Sequence, residues 1–284
     1  VDDYYLSDAD GNQLPYMDGT HGFGIVDAST RNAALLGGQL DLIWSVSFEA
    51  KDAAQAETSQ PRIKAQPAGF RGWYVALRNA APFDNYKVRK AINLAFDRWT
   101  NPAIIEWNHP AAQPSGYGFN VIPPDVLRQM PGWRQDKTAD WAEANRLLDE
   151  AGFERDADGV RFTFPAFNLT TQFYIDGHTL YLEDLRVELG INYTLDIPPD
   201  STVQADRAKS CDYVYYARAT AHDSPVPSHL ADALLPSPGT GAELCGWIAP
   251  QYLRDMATDF QTTVDMVSRL RIARDMEEAY YEDE

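Results

Sequence analysis

The stretch from Trp73 to Arg98 limits the possible folds more than any other part of this 284-residue chain. Trp73-Tyr74-Val75-Ala76-Leu77 has the aromatic and β-branched make-up of a strand. Shortly after it, Val88, Ala91, Ile92, Ala95 and Phe96 recur at i, i+3, i+4, i+7 and i+8, so a helix from Asn85 to about Arg98 carries one continuous apolar stripe. A strand running into an amphipathic helix buries both in a layered α/β arrangement.

The same alternation continues along the chain. Asp27 or Ser29 caps a short helix that Gly37-Gly38 stops, and residues 40–46 read as a strand. A helix over 138–151 puts Trp141, Ala144, Leu147, Leu148 and Ala151 on one face and ends at Gly152. A strand at 160–164 precedes a helix around 178–189, which Gly190 ends. Ile191, Tyr193, Leu195 and Ile197 alternate as in a half-buried strand, and residues 212–219 form a tyrosine-rich one. A last helix over 261–281 lines up Met266, Leu270, Ala273, Met276 and Tyr280. Residues 49–69 read as a polar loop. His109 to Pro131 holds five prolines and marks an interdomain crossing, so two α/β domains are expected at 1–110 and 111–284. Residues 221–250 are long, Pro- and Gly-rich and irregular, the texture of a functional loop.

Composition excludes several classes. Apolar residues make up 44%, enough for a sizeable core, so disorder is not the main state. The 24 basic against 42 acidic residues give a net charge of −18, which repels nucleic acid and anionic lipid. No apolar run approaches the ~18 residues that span a bilayer, and the first residues carry no signal-peptide pattern. Cys211 and Cys245 match no zinc or redox spacing, and the residues leave open whether they are two buried thiols or a disulfide. No phosphate loop and no G-x-S-x-G elbow occurs, and the histidines are scattered, so no catalytic residue, metal site or cofactor is assigned. Asp8–Asn12 and Asp156–Gly159 read as solvated turns.

Several stretches in order resemble the extracytoplasmic solute-binding proteins of peptide- and nickel-type ABC transporters, bacterial family 5. They are Leu14–Gly19 with DASTRNAALLGGQLDLIW at 27–44, WYVALRNAAPFDNYKVRKAINLAFDR at 73–98, Ile-Pro-Pro within Gly118–Pro124, NRLLDEAGF at 145–153, ELGIN at 188–192 and the strand opening at Asp212. The resemblance implies a two-lobed, clam-shell α/β protein of the periplasmic-binding type. It would capture peptides or similar small polar solutes as a monomer outside the cytoplasmic membrane, periplasmic or anchored, and deliver them to a membrane permease. Family members are longer, so the resemblance also implies an incomplete first lobe.

A peptide binder needs a carboxylate for the ligand's ammonium. The resemblance puts that role on Asp223, and the residues alone equally allow Asp223 to cap the turn before Pro225. Arg218 meets either a ligand carboxylate or a surface acid. Tyr216 and Trp247 offer shape-tolerant aromatic surface, or serve as core. Trp44 ends a strand near the expected hinge. Arg78 stands where the family often has Asn, which leaves peptide, opine, sugar and metal chelate open as ligands. The two rival functions are the ligand-sensing domain of a regulator and a cleft-type glycoside hydrolase.

Overall fold

The computed structural model describes residues 5–25, 27–43, 56–58, 60, 62–64, 70–99, 122–222, 229–235, 245 and 249–283. Contacts divide the chain into two compact units, Val1–Ala65 and Gln66–Glu284. In the first, α1 (Ala28–Leu36) starts where Asp27 accepts a hydrogen bond from the Thr30 N–H. Leu35, Ala56 and Ile63 pack together, and Arg62 donates to the Leu35 carbonyl at 2.9 Å, closing the helix end. The expected strand at 40–46 is not formed over Leu40–Ile43, and the remainder lies outside the described residues.

The second unit is built on a four-stranded sheet of order β1-β4-β2-β3, with β1 Phe70–Leu77, β2 Phe162–Phe167, β3 Ile191–Asp196 and β4 Tyr215–His222. β2 is parallel to both β3 and β4, whereas β1 runs antiparallel to β4. Three helices pack together over one face: α2 (Tyr86–Ala95), α4 (Thr138–Glu150) and α5 (Gln172–Leu189). The short α3 (Pro124–Leu127) precedes α4. Asn85 caps α2, and the stripe of Val88, Ala91, Ile92 and Ala95 is buried as its spacing requires. Those residues meet Leu148, Leu182, Leu185 and Tyr215, and Phe83 fits edge-on to Phe164 at 5.3 Å. Each fully buried side chain of this size stabilises by roughly 1.5–3 kcal/mol.

The helix over 85–98 stops at Ala95 rather than at Arg98. Phe96 turns extended to meet Tyr181, and Arg98 donates to the Asn93 and Gly132 carbonyls while lying over the Trp133 ring. β2 and β4 begin two or three residues later than their composition suggests. Pro165 lies inside β2 at a position bonded only to β3, because pairing with β4 starts at Ala166; Pro is tolerated where a strand has an open side. Several helices went unread in the sequence. α6 (Ser201–Lys209), capped by Asp200, buries no residue and so has no apolar stripe to read. The expected helix over 261–281 is α9 (Met266–Asp283), starting five residues later; α8 (Gln251–Thr262) before it was not expected, and both pack with α7 (His229–Leu234) through Leu230, Leu253, Phe260 and Met276.

β1 and α2, expected in the first domain, belong with the later elements: β1 is hydrogen-bonded along all of β4, and α2 packs on α4. The stretch expected as the crossing lies outside the described residues over 109–121. From 122 onward it packs through Ile122, Leu127 and Trp133 against Tyr281 of α9.

Two predictions follow from charges in this core. Asp140 is fully buried and accepts from Lys137 Nζ at 2.7 Å, Arg134 at 2.6 Å and the Gly132 N–H. Asp140→Ala leaves the buried Lys137 uncompensated and is expected to cost about 3–5 kcal/mol in urea unfolding. Burial lifts Asp184 from 3.8 to about 6. The native state therefore holds this proton more tightly than the unfolded chain, so the group's contribution to stability falls as pH rises from 4 to 6. Asp184→Asn, which still accepts from the Asp97 N–H, is expected to stabilise by roughly 1–2 kcal/mol at pH 7, allowing for partial solvation, and by nothing at pH 3.5. Melts at the two pH values check this.

Candidate functional site

The order of the strands creates a topological switch point, the place where open α/β sheets take ligands. From β2 the chain passes through α5 to β3 on one side, then returns through α6 to β4 on the other side of β2. Right-handed crossovers in opposite directions put their helices on opposite faces of the sheet, which makes the carboxyl end of β2 the point of reversal. β4 pairs with β2 only at Tyr215 and Tyr216, whereas it pairs with β1 over all eight residues. The β1–β4 ribbon therefore projects beyond β2 by Ala217–His222, ~20 Å of strand.

Polar and aromatic groups gather at the end of β2. Tyr216 is 4% exposed, lies 4.6 Å from Phe167 ring to ring, and accepts a hydrogen bond from Gln204 of α6 at 3.0 Å. Gln204 also accepts from the Thr170 N–H, joining α6 to the turn after β2. Asn168, fully buried, accepts the Leu169 N–H at 2.8 Å. Arg207 stacks on Phe167 at 4.2 Å and holds both oxygens of Asp196, a bidentate pair that keeps this carboxyl below its usual range. Its Nε reaches Asp212 at 3.0 Å. Arg78, Phe167, Arg207, Asp212 and Tyr213 are among the residues lining a cavity of about 180 Å³.

The expected site residues do not converge on one point. Tyr216 sits at the end of β2, opposite Ala76, and Arg218 follows on β4 opposite Tyr74. Arg78 follows β1 and donates its N–H to the Val214 carbonyl, at the end of the ladder away from His222. Seven ladder steps, ~23 Å, separate Leu77 from Phe70, so a ligand of two or three residues does not reach both Arg78 and the position following His222. Asp223, Trp247 and Trp44 lie outside the described residues. Gln204 and Arg207 went unnoticed because their helix has no apolar stripe. Asn168 carried no site signal in the sequence.

Cys211 and Cys245 form a disulfide with Cα atoms 5.4 Å apart. It closes a 34-residue interval holding all of β4, residues 223–228 and α7. Tyr213, stacked on Phe167, donates its hydroxyl hydrogen to Cys245 Sγ. Among the described residues no helix is long and apolar enough to cross a membrane, and no three His, Cys, Asp or Glu side chains group as metal ligands.

The chain belongs to the bacterial extracellular solute-binding proteins, family 5, whose middle region matches residues 1–242. It is similar to heme-binding protein A of Haemophilus influenzae, with 35% identity over 130 residues, 45% of this chain and 22% of that protein. It is also similar to the glutathione-binding protein GsiB of Salmonella typhimurium, with 28% identity over 144 residues, 49% of this chain and 26% of that protein. Among solved structures, Haemophilus influenzae OppA in complex with RPPGFSPFR superposes with a TM-score of 0.66 at 18% identity, over 90% of this chain and 49% of that one. NikA from Brucella suis in complex with Fe(III)-EDTA gives 0.60 at 19% identity, over 91% of this chain and 53% of that one. The fold is thus the α/β fold of these two-lobed binding proteins, and the chain spans about half the length of the solved relatives.

Thiol titration of the denatured protein is expected to find no free thiol before reduction and two after. Replacing both cysteines by serine is expected to cost about 3–4 kcal/mol on urea unfolding, the loop-closure entropy of an interval this long.

Proposed function

We propose that the chain is part of a solute-capturing subunit of an ABC importer, which binds peptides or similarly sized polar solutes outside the cytoplasmic membrane and hands them to a permease. The family match over residues 1–242 carries this reading. The Cys211–Cys245 disulfide supports it, since disulfides persist in oxidising compartments such as the periplasm. Capture requires no chemistry: the solute binds the closed arrangement of the two lobes more tightly than the open one and shifts the equilibrium between them.

The ligand enters beside the projecting β1–β4 ribbon, with Asp223, next after β4, pairing the solute's ammonium, and Tyr216, about seven strand steps back, reached by the far end of longer peptides. Arg218 and Trp247 supply further contacts. Arg78 and Trp44 are the outlying members of the set. The relatives' ligands run from a nonapeptide to a metal chelate, so the solute class is decided by titration.

Calorimetric titration with short peptides, amines free and then acetylated, tests the reading, with glutathione and hemin as further probes. Free-amine peptides are expected to bind, and either acetylation or Asp223→Ala is expected to weaken them at least tenfold, as loss of one partner of a buried charge pair does. Heat only with hemin, or with none of the probes, removes peptides as the solute.

A further inference from the structure

Four charged side chains line the cavity of about 180 Å³ beside α6: Arg78, Asp196, Arg207 and Asp212. Two of them satisfy each other. Arg207 holds both oxygens of Asp196, at 2.9 and 2.7 Å, so this pair brings no free charge to the cavity. The other two are a cation and an anion with bonding capacity to spare. The Arg78 guanidinium is exposed and makes no hydrogen bond or ion pair among the described residues. Asp212 gives only Oδ2 to Arg207 Nε, and its Oδ1 accepts no hydrogen bond among the described residues. One guanidinium between two carboxylates leaves a single negative charge, which Arg78 balances.

Arg78 and Asp212 line the same small space without pairing with each other. A molecule that joins them therefore has to carry a negative group for one and a positive group for the other, with no net charge. The wall between them is apolar and held in place. Arg207 lies over Phe167 at 4.2 Å, Tyr213 stacks on the same ring at 6.2 Å, and the Tyr213 hydroxyl donates to Cys245 Sγ of the disulfide. A wall already ordered loses little freedom when a ligand settles on it. Size sets the last constraint. Sites for drug-sized ligands run to about 300–1,000 Å³, so this one suits a smaller molecule whose two charged groups stand close together.

We propose that this cavity is a second, smaller binding site that takes a free α-amino acid with an apolar side chain. Arg78 receives the carboxylate, Asp212 Oδ1 the ammonium, and the surface of Phe167 and Tyr213 the side chain. A peptide does not satisfy both charges, because its own charged ends lie farther apart. The site is separate from the projecting ribbon: Arg78 follows Leu77, which is ~23 Å along the ladder from Phe70 and its partner His222. The inference therefore does not depend on the solute-capture reading.

The experiment is amide chemical-shift titration of the parent protein, Arg78→Gln and Asp212→Asn with leucine, N-acetylleucine and leucinamide. Leucine is expected to shift the amides of Arg78 and of residues 212–214, and blocking either of its charged groups is expected to weaken binding at least tenfold. Each variant is expected to lose at least tenfold in leucine affinity with the rest of its spectrum unchanged. Arg78 has no partner to lose, and an asparagine side chain still accepts from Arg207 Nε, so neither change disturbs the fold. No shift with leucine at about 10 mM overturns the inference, as does equal binding of the blocked forms or unchanged affinity in both variants. Shifts concentrated at Tyr216–His222 place leucine on the ribbon and overturn it as well.

Discussion

The packing of Phe83 against Phe162, Phe164 and Tyr215 is the contact on which the larger unit depends. Phe83 lies in the connection between β1 and α2, Phe162 and Phe164 in β2, and Tyr215 at the start of β4. These are the pieces that have to meet for an antiparallel ribbon to join a parallel sheet. Burial of this cluster beneath α2, α4 and α5 fixes which face of β2 and β4 looks inward. Phe167, three residues after Phe164, and Tyr216, one after Tyr215, consequently belong to the other face, where α6 reaches them. A one-residue slip of β4 against β2 would exchange the two sets and dismantle core and switch point together.

The switch point is a consequence of topology more than of side chains. Because β4 returns to the far side of β2, its last six residues have β1 but no β2 beside them, and the ribbon stands clear of the end of the sheet. The disulfide and the Tyr213–Phe167 stack anchor the near end of β4, so the interval carrying the ribbon and residues 223–228 is tied at Cys211 and Cys245.

What the sequence made legible follows from what produces a pattern. α2, α4 and the end of α5 were readable because an apolar stripe or a left-handed Gly190 leaves a signal in the residues. α6 was not, because a helix that buries nothing lacks periodicity, and only its Asp200 cap marked it. The division near residue 110 rested on a proline-rich texture, whereas the pairing of β1 with β4, 138 to 152 residues apart, is a long-range fact that no local pattern holds. The site divides in the same way. Tyr216 was recognisable from its place in a tyrosine-rich strand, while Asn168, Gln204 and Arg207 gain meaning only once α6 and β2 are side by side.

Amide chemical-shift mapping with a bound peptide of about six or more residues, long enough for the ~20 Å of projecting strand, tests the central claim most directly, that solutes are held where β4 leaves β2. The account predicts the largest changes at Phe167–Gln172 and along Tyr216–His222, with small ones around Arg78 and Asp212. Changes concentrated at the Arg78–Tyr213 cavity, with the end of β2 unaffected, would contradict it.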